Sequence, residues 1–74
     1  MPKIPRITAN QIMKVVEKLG FCLSRQSGSH KIFINQDGVR ITIPVHSGKI
    51  LHPKIVKSIM IDANINYEML KNML

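Results

Sequence analysis

A single cysteine, Cys22, excludes a disulfide within the chain and suits a reducing cytoplasm. No Cys–His cluster has the spacing of a zinc site, so no metal is expected. Tryptophan is absent, and one tyrosine with two phenylalanines is too few for a platform that stacks single-stranded bases. Acidic residues are scarce as well. Glu17, Asp37, Asp62 and Glu68 stand singly, which argues against a two-metal nuclease or a paired-carboxylate hydrolase. The four glycines form no phosphate-cradling loop of the P-loop or dinucleotide type, so no cofactor is expected either. No apolar run approaches a membrane span, and the N-terminus lacks the apolar core of a signal peptide. The expectation is a soluble cytoplasmic protein that does not meet a membrane.

What is abundant is positive charge. Eleven Lys and Arg against four Asp and Glu leave a net charge of +7 on 74 residues. A polyanion is the natural partner for such a chain, with phosphate contacts carrying much of the affinity. Residues 1–74 are expected to form one domain. A chain of this size buries only about 60% of its unfolded surface, which leaves a thin margin of stability. A small polymer-binding surface suits it better than a large closed cavity.

The hydrophobic pattern divides the chain cleanly. Met1 to Ile7 carries two prolines and reads as an extended arm. Thr8 and Gln11 have capping-box spacing, and Ile12, Val15, Val16 and Leu19 make one apolar stripe. Gly20 supplies a left-handed stop, so the first helix spans about residues 9 to 19. Phe21 to Arg25 alternates as a half-buried strand with Phe21 and Leu23 inward and Arg25 on their parity. Cys22 reads as a small core or boundary residue. His30 to Asn35 and Val39 to Ile43 make two more strands, joined by an Asn35–Gly38 turn, and Pro44 ends the meander. In the third strand Val39, Ile41 and Ile43 share a face opposite Arg40 and Thr42. Ile32 and Ile34 are expected to join that inner face and put Phe33 on the open one, the reverse register being the alternative. A second helix starts at Pro53 with Ile55, Val56, Ile59 and Met60 as its stripe, and Asn64 takes its stop. Asn66 caps a short last helix of Tyr67 to Met73. The fold class is therefore α+β: a three-stranded antiparallel sheet with two helices on one face, a short C-terminal helix, and the other sheet face open.

The chemistry gathers around Gln26-Ser27-Gly28-Ser29-His30-Lys31. Histidine with cations suffices for one reaction, cleavage of RNA by its own 2′-hydroxyl. The nucleophile is already in the substrate. The protein must supply a group that moves protons near neutral pH and positive charge for the phosphorane oxygens. His30, just after a Gly-Ser turn, is the candidate catalytic residue, and its bland alternative is a surface histidine at a strand end. Arg25, Ser29, Lys31, Lys49 and Lys54 are candidate RNA-binding residues. Lys49 would act with exposed amides at the start of the second helix, where Lys57 could extend the track. His46 is a possible accessory group, or simply packs or caps its loop. His52 sits at the mouth of the second helix.

Gly20-Phe21, Gly28-Ser29-His30, the Asp37-Gly38 turn, Ile43-Pro44-Val45-His46 and Gly48-Lys49, in this order and spacing, resemble the HicA family of bacterial toxins, also called YcfA-like proteins. The resemblance spans nearly the whole chain. It implies a double-stranded-RNA-binding-domain-like (dsRBD-like) α-β-β-β-α fold and metal-independent cleavage of mRNA. It also implies neutralisation by a HicB antitoxin, in a hetero-oligomer with the toxin. The family's catalytic histidine lies in the Gly-Ser-His motif and falls on His30. Where members usually carry Gly-Thr at the start of the second helix, this chain has His52-Pro53. Two other functions stay open: a non-catalytic module that reads double-stranded RNA by shape, and, less well supported, a DNA-binding partner in a repressor complex.

Overall fold

In the computed structural model the elements run α1 (Ala9–Lys18), β1 (Cys22–Ser27), β2 (His30–Ile34), β3 (Arg40–Pro44), α2 (Pro53–Ala63) and α3 (Tyr67–Met73). The structure describes residues 6–46 and 48–74. Most of the expected N-terminal arm thus lies outside the described residues, as does Ser47. The strands form one antiparallel sheet in the order β1-β2-β3. With its three helices this is the α+β, dsRBD-like arrangement expected from the sequence.

Local signals set most boundaries. The Thr8 side chain takes the Gln11 N–H at the start of α1, and the Thr8 N–H donates to Gln11 Oε1 at 3.0 Å, closing the capping box. Gly20, at φ +96°, turns the chain out of α1. Between β2 and β3 the Asn35 side-chain oxygen accepts from the Asp37 and Val39 N–H groups, which holds the turn shut. Asn64 ends α2 in the left-handed region, and Asn66 Oδ1 caps α3 through the Met69 N–H at 2.8 Å.

One apolar core joins Ile12, Val15 and Val16 of α1 with Phe33 of β2, Ile41 and Ile43 of β3, and Val56 and Ile59 of α2. Ile7, Phe21, Leu51 and Leu70 complete it from the flanks. The loop before α2 is tied down at its far end. Thr8 and Ile50 form an antiparallel bridge, and the Leu51 N–H donates to the Ile7 carbonyl at 2.8 Å.

Three expectations about facing need correction. Phe33 is the inward residue of β2, only 3% exposed, whereas Ile34 is 37% exposed. Pairing explains this: Phe33 stands opposite Ile41, and directly opposed residues share a face. A phenylalanine on the open side would also leave a large apolar ring in water. Val39 belongs to the turn, and β3 begins one residue later, at Arg40. Finally, β1 is longer than expected and none of its residues is buried. Cys22 is exposed rather than part of the core, and Leu23, though opposite Phe33, remains 50% exposed. The physical reason is helix coverage: β1 and β3 are both edge strands, but α1 and α2 pack chiefly on β3.

Candidate nucleic-acid interface

The Gly-Ser-His turn is built tightly. Ser27 pairs with His30, so only Gly28 and Ser29 form the loop of the hairpin. Gly28 has φ +59°, a backbone region that a side chain disfavours. The Gln26 side-chain amide donates to the Gly28 carbonyl at 3.0 Å. The Ser29 carbonyl accepts from the Val45 N–H, which fastens the turn to the chain leaving β3. His30 is then the first residue of β2, paired on its other side with Pro44. It is exposed, on a backbone held from three directions.

A β-bulge decides which cations join it. The β1–β2 register slips between Leu23 and Arg25, leaving Ser24 as the extra residue. Arg25 therefore stands opposite Ile32, on the His30 side of the sheet, while Leu23 stands opposite Phe33 on the helix-covered side. Residues two apart in sequence, and so of one parity in a regular strand, end on opposite faces. Arg25 and His30 occupy diagonal positions on neighbouring strands, about 7–8 Å apart, within reach of one phosphodiester for a side chain as long as arginine.

On the same face, a groove of about 430 Å³ runs between β3 and α2. His30, Arg40, Thr42 and Pro44 line it from the sheet, and Lys54, Ser58 and Asp62 line it from α2 with Ile55 and Ile59 beneath. Arg40 is the residue that sequence reasoning did not assign. Its signal was present, since it alternates with Ile41 and Ile43. It could be joined to His30 only once Phe33 had been placed inward. Lys54, Ser58 and Asp62 recur every four residues and form one stripe of α2.

The other candidates are placed apart. Lys31 stands opposite Ile43, on the face away from His30, and lines a separate groove beside α1. His46 and Lys49 are exposed in the loop after β3, where the Lys49 N–H donates to the His46 carbonyl at 3.0 Å. The expected phosphate site at the start of α2 is closed. His52 is the N-cap, and its Nδ1 accepts the Lys54 N–H at 3.1 Å. Pro53 has no N–H, and the Ile55 N–H donates to the His52 carbonyl. The first amides of α2 are thus spent internally, leaving Lys54 to act through its side chain. Among the described residues no group of three or more His, Cys, Asp or Glu is placed to hold a metal ion.

The family model for the HicA toxin of bacterial toxin–antitoxin systems matches residues 9–65, from the start of α1 to just past α2. The chain belongs to the HicA toxin family. No curated protein matches it. The HicA match covers both the Gly-Ser-His turn and the β3–α2 groove, so the family-defining part of the chain is also the part that builds this face. Membership in the HicA family makes the protein the toxin of a toxin–antitoxin pair and implies an antitoxin partner. Among the described residues no helix is long and apolar enough to cross a membrane.

Proposed function

We propose that this toxin is an endoribonuclease that cleaves mRNA in the cytoplasm without a metal, and that a HicB-like antitoxin restrains it. The observation that carries the reading is the position of His30 at a groove lined by Arg40 and Lys54, with Arg25 on the same face. In the proposed reaction the 2′-oxygen loses its proton and attacks the adjacent phosphorus. The bond from phosphorus to the 5′-oxygen breaks, and that oxygen takes up a proton. His30 exchanges one of these two protons. Arg25, Arg40 and Lys54 hold the phosphate and offset the charge that builds on its oxygens. Ser29 is part of the same turn, and Lys49 extends the cationic surface beyond β3. Lys31, on the other face, has no part in this step.

The test is incubation of the purified chain with RNA in EDTA. Fragments ending in 2′,3′-cyclic phosphate are expected. His30→Ala is expected to slow cleavage by about 10²–10⁴-fold, the usual contribution of a placed acid–base group, with RNA affinity and fold retained. Full cleavage by that variant removes the assignment. RNA binding with no fragments from the native chain favours the non-catalytic double-stranded-RNA-binding module instead.

A further inference from the structure

The antitoxin partner implied by the family needs a surface, and the molecule offers one away from His30. β1 is a free edge of the sheet, six residues long and without a buried residue. Such an edge presents backbone N–H and C=O groups that no neighbouring strand among the described residues takes up. Beside it, between α1 and the covered face of β1 and β2, lies a groove of about 300 Å³. Met13, Leu23 and Phe33 make its apolar part, and Lys14 and Lys31 stand over it against a single acid, Glu17. Leu23 is half exposed there, a large apolar side chain left in water by the chain's own packing.

We propose that an extended segment of the antitoxin adds to β1 as a fourth strand, with an apolar side chain seated between Met13 and Leu23 and carboxylates at Lys14 and Lys31. Backbone pairing would give the affinity, and the groove the selectivity, as in other cases of strand addition. Charge selects the occupant. A second copy of this chain would bring +7 against +7, whereas an acidic segment is drawn in. An RNA backbone is less suited than a peptide, since it can neither pair with a strand edge nor fill an apolar pocket. The proposal rests on the toxin–antitoxin reading, but not on the nuclease one. It makes the antitoxin seat its side chains on the sheet face away from His30 while its backbone runs along β1, the strand that also carries Arg25.

The experiment uses the full chain and its cognate antitoxin, the neighbouring gene product that suppresses its toxicity. Affinity is measured by calorimetry for the native toxin, Leu23→Asp and Lys14→Glu, and amide exchange across residues 22–27 is followed with and without antitoxin. Both positions are exposed, and circular dichroism checks that each variant folds. The expected results are a Kd at least tenfold higher for each variant, slower exchange in β1 within the complex, and RNA cleavage by the free variants at the native rate. A smaller change in Kd for both variants overturns the proposal, as does unchanged β1 exchange. Loss of RNA cleavage with antitoxin affinity intact overturns it too, by making the groove an RNA site. Absence of cleavage in the native chain would sink the nuclease reading alone and leave the binding result standing.

Discussion

The two edges of the sheet are opposites. At the β3 edge every second residue is sealed: Ile41 and Ile43 have no exposed surface, and α2 packs on the strand. At the β1 edge nothing is sealed, and even the residue that faces inward is half in water. Both strands pair with the same β2, so backbone hydrogen bonding is not what separates them. Side-chain burial is. In a chain of 74 residues the apolar surface suffices to finish one edge, and the fold's stability is concentrated there. The β1 edge contributes little packing, and its side chains are correspondingly free to serve a partner.

This contrast is open to attack by substitution. The largest effect is expected for Ile43→Ala, which removes a fully buried side chain from the sealed edge and should cost about 2–5 kcal/mol in urea unfolding. A loss below about 1 kcal/mol would mean that the β3 edge is not where stability resides. An intermediate loss, about 0.5–2 kcal/mol, is expected for His52→Ala, which deprives α2 of its side-chain cap. His52→Asn should recover most of it, because a shorter side chain can still accept from the first amides. Failure of that rescue would show that His52 acts otherwise than as a cap. The smallest effect is expected for Leu23→Ala at the free edge, less than about 1 kcal/mol, since half of the side chain is already hydrated. If Leu23→Ala proved as damaging as Ile43→Ala, the difference between the edges would vanish.

Features written in neighbouring residues were legible before the structure. Thr8 with Gln11, Gly20, the Asn35–Gly38 turn, Asn64 and Asn66 each act through backbone groups a few positions away, and each stands where its residue type requires. The Gly-Ser-His turn was equally clear, together with the family it points to. Facing was harder. Ile32, Phe33 and Ile34 are apolar in succession, so β2 carries no alternation of its own, and its face is decided by Ile41 and Ile43 across the strand pair. The bulge at Ser24 has no marker, since serine suits a regular strand as readily as an irregular one. The grouping of His30 with Arg40 depended on the first point, and that of Arg25 with His30 on the second. The sealed start of α2 hid for another reason: the amides expected to bind a phosphate with Lys49 read as free until the His52 ring is seen accepting the Lys54 N–H.

The extra residue at Ser24 also bears on how the chain behaves at high concentration. Without Ser24, Leu23 and Arg25 would still fall on their present faces by ordinary alternation, but the strand would run straight. A straight, uncovered margin is a template on which further chains can stack, whereas a kinked one interrupts their ladder. A kinked margin of this kind can take a single short strand fitted to it, but disfavours an open-ended stack of copies.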